Sequence, residues 1–250
     1  MKRRVLIGAG SLLGAAVLLP TQAQTVVKVR MAYFEDFAPM SFKTPKGDMA
    51  GIFIETLNHI AKASGVAFQH SGFPWQRAQN YIKAGELDAL CAWNSVERKE
   101  YLWFASTPVI EQTMGIYHRP KDARVQAIRS VQDMRALAQG SYLGNGYAKQ
   151  YLEPDLIKWQ ADMTSVLRLV AAESLDIFVE GELIGKAAIE KHGLQGKLAF
   201  TPLPFLDPVR SYFGLRKSFD KAQHIVERVD GALGQARKSG ALGIIYKKYV

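Results

Sequence analysis

Apolar residues in the first half of the chain follow two alternating periods, and each period predicts one kind of element. The run from Val26 to Ala32 predicts a strand, because β-type residues follow one another without helical spacing. Apolar residues at helical spacing from Ile54 to Ala61, closed by Gly65, predict a helix. A second helix is predicted from Trp75 to Ala84, and the strand Leu87 to Ala92 follows it directly. This order of strand, helix and strand is typical of an α/β fold with largely parallel strands.

The same order restarts after Pro120. A short strand is predicted at Ser141 to Leu143, a helix from near Tyr147, and another strand at Leu175 to Val179. A second α/β unit is therefore expected in this half of the chain, without a flexible linker before it.

Two segments, one in each half of the chain, are each predicted to end a helix and begin a strand, and both contain a Leu-Asp pair at that point. They are Lys83 to Leu90 and Ala171 to Phe178. The C-terminal part then returns to a strand at Tyr212 to Leu215 and a long helix with apolar residues between positions 222 and 236. Two similar α/β lobes would produce this arrangement.

The N-terminal 23 residues have the three parts of a secretory signal peptide. Lys2 to Arg4 are basic, Val5 to Leu19 are uncharged and largely apolar, and small residues surround Ala23 after Pro20. An apolar run of about 15 residues is short for a membrane span, which needs roughly 20. We expect export to the periplasm and cleavage near Ala23. An uncleaved anchor is the alternative, and the pair of arginines leaves both the general secretory and the twin-arginine route open.

Composition narrows the possible chemistry. The formal net charge of +9 comes from dispersed Lys and Arg, so we expect no nucleic-acid partner. A single cysteine, Cys91, cannot form an intramolecular disulfide and is expected to be a buried structural thiol. Five scattered histidines lack metal-ligand spacing, and no nucleophile elbow or phosphate loop is present, so no metal or cofactor is predicted.

Several short motifs, in their order and spacing, resemble the family 3 extracellular solute-binding proteins that serve polar amino acid ABC transporters. The motifs are Ala38–Phe42, Gly47–Glu55, Gly85–Ala89, Ser95–Arg98, Phe104–Pro108, Tyr212–Lys217 and the closing Lys248–Tyr249. The resemblance covers nearly all of the mature chain. It implies a two-lobed periplasmic-binding-protein fold of type II, in which each lobe is a sheet flanked by helices and the lobes close over a solute.

The resemblance also implies two crossings between the lobes. We place them near Tyr117 to Pro120 and near Asp207 to Ser211. The first lobe would then comprise residues 24–118 and 209–250, and the second lobe residues 119–208.

In the first lobe the resemblance implies a solute site on four residues. Ser95-x-x-Arg98 matches the family's Thr-x-x-Arg motif, whose guanidinium binds the ligand α-carboxylate through two parallel hydrogen bonds. Trp75 and Phe37 stand where the family often has aromatic residues in the pocket. Trp93 and Tyr33 are weaker candidates, and core packing or surface exposure is the alternative for each of these residues.

The second lobe departs from the family at one position. Amino acid binders of the family usually carry an Asp where this chain has Gly181. Glu180 and Glu182 flank that glycine, and we select Glu182 while leaving open which of the two holds an ammonium group. Tyr147 begins a helix after Gly146, and its backbone N–H is a candidate for anion binding.

The function implied by the resemblance is capture of a polar amino acid, or a similar small polar solute, for the membrane permease of an ABC transporter. We expect a monomer that is not an enzyme. The alternatives are a periplasmic enzyme of the cyclohexadienyl or prephenate dehydratase type, and a ligand sensor. Glu111, Glu180 and Glu182 are the acids available to an enzyme, and none stands in a catalytic motif.

Overall fold

The computed structural model describes residues 26–249, and the predicted signal peptide lies outside them. Within this range the chain forms two large β-sheets flanked by helices. The elements of lobe 1 are β1 (Val27–Phe34), β2 (Asp36–Phe37), β3 (Ser41–Lys43), β4 (Met49–Ala50), α1 (Ile52–Ser64), β5 (Val66–Phe73), α2 (Trp75–Ala84), β6 (Ala89–Trp93), α3 (Val96–Tyr101), β7 (Leu102–Phe104) and β8 (Ile110–Gln112).

The chain then builds lobe 2 and returns. The elements of lobe 2 are β9 (Met114–His118), α4 (Ala123–Gln126), β10 (Gln139–Tyr142), α5 (Gly146–Tyr151), β11 (Ile157–Gln160), α6 (Met163–Ala171), β12 (Ile177–Gly181), α7 (Glu182–Lys191) and β13 (Ala199–Pro202), with 3₁₀ turns at Gln132–Ala136 and Pro154–Leu156. Lobe 1 is completed by β14 (Val209–Arg216), α8 (Ala222–Lys238) and α9 (Ala241–Tyr246).

The two sheets have matching strand orders. In the described part of lobe 1 the order is β5-β1-β6-β14-β7, and β8 also pairs with β14, whereas lobe 2 has the order β11-β10-β12-β9-β13. The first three strands of each order are parallel, and β14 or β9 runs antiparallel beside them. The predicted two-lobed α/β fold is confirmed, although each sheet is mixed rather than largely parallel.

The aspartate of the repeated Leu-Asp pair has the same structural role in both lobes. The Asp88 N–H donates to the Arg30 carbonyl at 2.9 Å, and the Asp88 carboxylate accepts the Arg30 N–H at 3.0 Å. In lobe 2 the Asp176 N–H donates to the Ala138 carbonyl at 2.7 Å, and its carboxylate accepts the Ala138 N–H at 2.8 Å. Each aspartate therefore joins the strand that follows a helix to the neighbouring parallel strand.

The first crossing lies earlier than the sequence suggested. Strand Met114–His118 pairs with β12 and β13, so the chain leaves lobe 1 at Thr113 rather than near Tyr117. All five residues of this strand are buried, so the pattern of apolar residues does not reveal which sheet the strand joins. The return crossing is the segment of residues 203–208 between β13 and β14.

Candidate functional site

A cleft between the two sheets collects side chains from both lobes. Phe34, Trp93 and Tyr142 are the last residues of β1, β6 and β10, which are parallel within their own sheets. The crevice at the carboxyl ends of such strands is the usual ligand position in open α/β sheets. The other lining residues are Phe37, Ser41, Phe53, Trp75, Cys91, Ala92, Arg98, Gln112, Met114, Asn145, Gly146, Tyr147, Glu180, Ile184, Val209 and Ser211.

Arg98 is a buried cation in this cleft. The Ser95 hydroxyl caps α3 by accepting the Arg98 N–H at 3.3 Å, which fixes the backbone from which the guanidinium extends. Ser95 itself is buried and does not line the cleft. The guanidinium donates to the Gln79 side-chain oxygen at 3.1 Å and to the Trp93 carbonyl at 3.0 Å. Burial lowers the pKa of Arg98, yet an arginine stays charged at neutral pH.

The carbonyl of Gly144 joins the lobes at Arg98. It accepts hydrogen bonds from Arg98 Nη2 at 3.0 Å, Trp75 Nε1 at 2.9 Å and Gln79 Nε2 at 3.3 Å. All three donors belong to lobe 1, whereas Gly144 belongs to lobe 2. The backbone of Gly146 lies so close to the Arg98 guanidinium that a Cβ at position 146 would be 3.3 Å from Arg98 Nη1. Arg98 and Trp75 therefore also hold the lobes together, which the sequence did not indicate.

Aromatic rings form one wall of the cleft, centred on Phe34. The Phe34 ring stacks on Phe37 with centroids 5.3 Å apart and lies 6.2 Å from Trp75, nearly parallel to it. Tyr142 approaches Phe34 from lobe 2 at 5.7 Å. The structure thus brings the predicted residues Trp75 and Phe37 together. Phe34 and Tyr142 were missed, although their places at strand ends could have identified them.

Glu180 is a buried carboxylate on the lobe 2 side of the cleft. It is 6% exposed and lies one residue before the end of β12. Its oxygens accept hydrogen bonds from the Tyr142 hydroxyl at 2.9 Å and the Gly181 N–H at 2.7 Å. Burial outweighs these two bonds and raises the pKa of Glu180 to about 7.

Glu182 does not line the cleft, which corrects the choice made from the sequence. It begins α7 and its carboxylate pairs with Lys186 one helical turn later. Its side chain faces a separate surface depression near the first crossing. Glu180 and Glu182 lie on opposite sides of the strand-to-helix junction at Gly181, so Glu180 faces the cleft and Glu182 does not.

Tyr147 lines the cleft through its ring rather than through a free backbone N–H. The N–H groups of Tyr147 and Ala148 both donate to the Asn145 side chain, at 3.1 and 3.2 Å. The N–H selected for anion binding is therefore already bonded. The Tyr147 ring packs against Trp93 at 5.5 Å, across the two lobes.

Two further sequence-based expectations concern lobe 1. The Tyr33 side chain lies in the core, where its hydroxyl is 2.9 Å from Nδ1 of His70, and it does not line the cleft. Cys91 is a buried free thiol on the cleft wall, and burial raises its pKa.

Residues 26–249 contain no group of three or more His, Cys, Asp or Glu side chains placed to hold a metal ion. Across the same residues, no helix has the length and apolar character needed to cross a bilayer.

The fold agrees with comparisons to known proteins. Residues 29–250 match the family model of the bacterial extracellular solute-binding proteins, family 3, and the chain belongs to this family. Two curated relatives and a solved structure with a similar fold are named as binding proteins.

Three similar proteins illustrate the relationship. The probable amino-acid-binding protein YxeM of Bacillus subtilis (strain 168) is 26% identical over 84% of this chain and 79% of its own length. A probable histidine-binding protein of Neisseria gonorrhoeae is 23% identical, over 88% of this chain and 82% of that protein. The solved structure of an ancestral arginine-binding protein bound to arginine superposes with a TM-score of 0.74 at 19% identity, covering 90% of this chain and 99% of that one.

Proposed function

We propose that this protein captures an amino acid in the cleft between its lobes. The observation that carries the proposal is the pair of buried, oppositely charged groups in one cleft, Arg98 and Glu180. All three hydrogen-bond acceptors of Arg98 are uncharged oxygens, so a solute carboxylate would compensate its charge. Glu180 offers a counter-charge to an ammonium group, and the aromatic wall packs on the remainder of the solute.

We also propose that the captured solute is handed to the membrane permease of an ABC transporter. The fold of the chain resembles that of the substrate binding protein of an amino acid ABC transporter, with a TM-score of 0.70 at 16% identity. The protein would act in the periplasm as a monomer, since one chain supplies both walls of the cleft.

Binding without catalysis is the third part of the proposal. Glu180 has a pKa near that of a general acid or base, but the Tyr142 hydroxyl and the Gly181 N–H each bond one of its oxygens. Such a carboxylate is suited to holding an ammonium group. Turnover of a prephenate-like acid by the wild type, abolished in Glu180→Gln, would contradict this part.

A thermal-shift screen tests the choice of solute. L-arginine, L-histidine and L-glutamine would be compared with organic acids that lack an amine and with amines that lack a carboxylate. We expect at least one amino acid to stabilise the protein, by about 2.7 kcal/mol at a hundredfold excess over its Kd. Stabilisation by organic acids alone, or by none of the compounds, would exclude amino acid capture.

Export is tested by mass spectrometry of the periplasmic fraction after expression of the full chain. We expect the mature N-terminus near Gln24, because the small residues up to Ala23 suit signal peptidase. Membrane-bound protein that retains Met1 would instead support an uncleaved anchor.

A further inference from the structure

The side chain of Gln112 is a buried amide that faces the cleft. Gln112 is 6% exposed, lines the cleft and ends strand β8. Its Oε1 has no hydrogen-bond partner among residues 26–249. Burial of an amide oxygen without a hydrogen-bond partner is unfavourable, so a position of this kind calls for a donor from outside the protein.

Gly181 leaves the space that Gln112 occupies. A Cβ at position 181 would lie 2.2, 2.3 and 2.5 Å from Cδ, Oε1 and Nε2 of Gln112. The φ angle of Gly181 is −64°, which any residue adopts, so backbone conformation does not require glycine there. The lack of a side chain at position 181 is therefore explained by the amide of Gln112.

Gln112 and Glu180 both present acceptors to the cleft. Glu180 is the neighbour of Gly181 in the chain, and the Gln112 amide abuts Gly181. A carboxylate and an amide oxygen in one cleft suit a group with several N–H donors, such as a protonated amine. The guanidinium of Arg98 lies elsewhere on the cleft wall, next to Trp75 and Gly144.

We propose that the Gln112 amide oxygen binds the amino group of the solute together with Glu180, and that Gly181 is small in order to admit it. This inference rests on the proposed amino acid function and adds a specificity-determining residue to it. Gln112 immediately precedes the crossing at Thr113, so it lies near the axis about which the lobes would rotate. Its position relative to either lobe therefore changes little on closure, which keeps the acceptor in place for the solute.

The test pairs a variant of the protein with a variant of the solute. Titration calorimetry would measure L-arginine, L-histidine and L-glutamine, each beside its analogue without the α-amino group, on wild type and on Gln112→Met. Methionine keeps the length of the side chain and removes the amide. We expect Gln112→Met to weaken amino acid binding about tenfold or more and to leave the affinity for the des-amino analogue within about twofold.

Gly181→Ala provides a second measurement. Its methyl group would displace the Gln112 amide, so we expect a similar loss of amino acid affinity. In a Gln112→Ala background the same change should have almost no further effect, because the colliding amide is gone.

The outcomes separate the two proposals. Equal weakening of amino acid and des-amino analogue in Gln112→Met, or unchanged affinity for both, would overturn the role of Gln112 while leaving amino acid capture intact. Failure of the wild type to bind any of the three amino acids would overturn the proposed function, and this inference with it.

Discussion

Replacing Glu180 with Gln is expected to raise the free energy of unfolding of the solute-free protein by about 3 kcal/mol at pH 8. The reason is the pKa of Glu180, which burial raises from 4.5 to about 7 in the folded protein. At pH 8 the wild type must hold a buried carboxylate that is fully solvated in the unfolded chain. The neutral amide of Gln removes that cost and still offers an oxygen to the Gly181 N–H.

The sign of the pH dependence follows from proton uptake. Between pH 4.5 and pH 7 the folded protein keeps a proton on Glu180 that the unfolded chain has released. The contribution of Glu180 to stability therefore falls as pH rises through this window and is constant above it. Urea unfolding at pH 5, 6, 7 and 8 should show a difference between Glu180→Gln and wild type that grows from about 1 to about 3 kcal/mol.

Glu182→Gln is the matched control for this experiment. Glu182 is two residues away, but its carboxylate is partly exposed and pairs with Lys186. Its replacement should change stability by no more than about 0.5 kcal/mol at every pH. A pH-independent difference between Glu180→Gln and wild type would contradict the placement of a buried carboxylate in the cleft.

Amino acid affinity should respond to Glu180→Gln in the opposite direction. The ammonium group loses its counter-charge, so binding weakens while the free protein becomes more stable. For the wild type, affinity should rise between pH 6 and pH 8 as Glu180 ionises. Opposite effects on stability and affinity distinguish a solute-binding carboxylate from one that only supports the fold.

Replacing Arg98 with Ala is expected to lower amino acid affinity by roughly 2–5 kcal/mol, because a charged solute carboxylate would be left without its partner. The variant also loses the hydrogen bond from Arg98 to the Gly144 carbonyl, so closure of the lobes weakens at the same time. Titration calorimetry with the amino acid that gives the largest thermal shift measures the loss.

Two further variants separate the contributions of Arg98. Arg98→Lys keeps the positive charge but lacks the planar guanidinium that can donate two parallel hydrogen bonds, so it should recover only part of the affinity. Arg77→Ala removes an exposed arginine from α2 and should leave affinity unchanged. Wild-type affinity in a folded Arg98→Ala protein would show that the solute carboxylate binds elsewhere.

The fold was predictable from the sequence where local signals agree. Helix α2 spans Trp75–Ala84 as predicted, because Gly85 adopts the left-handed conformation that ends it. Ser130–Asp133 resembles a capping box, which is typical of the start of a helix, but the structure has only the short 3₁₀ turn Gln132–Ala136 there. The Asp133 carboxylate accepts hydrogen bonds from the Arg129 N–H and the Ser130 hydroxyl. The chain is already extended at Leu137 and enters strand β10 at Gln139, which leaves no room for a longer helix.

The candidate site was less predictable because it depends on contacts between the lobes. The motif around Ser95 and Arg98 identified a buried cation, but nothing local shows that its guanidinium meets Gly144 of lobe 2. The choice between Glu180 and Glu182 depends on where strand β12 ends and helix α7 begins, because the two side chains would share a face if the strand continued through Glu182. Gln112 carries no sequence signal, since its role arises from the space beside Gly181.

The carbonyl of Gly144 has a consequence for the energy cost of uptake. Three donors of lobe 1 bond it using protein atoms alone, so part of the free energy that favours closure does not depend on cargo. A fraction of the solute-free protein would then adopt the same closed conformation as the solute-bound protein. A transporter that recognised only the closed shape would hydrolyse ATP on solute-free binding protein in proportion to that fraction. Stronger hydrogen bonds to the Gly144 carbonyl would therefore increase the amount of ATP hydrolysed without uptake.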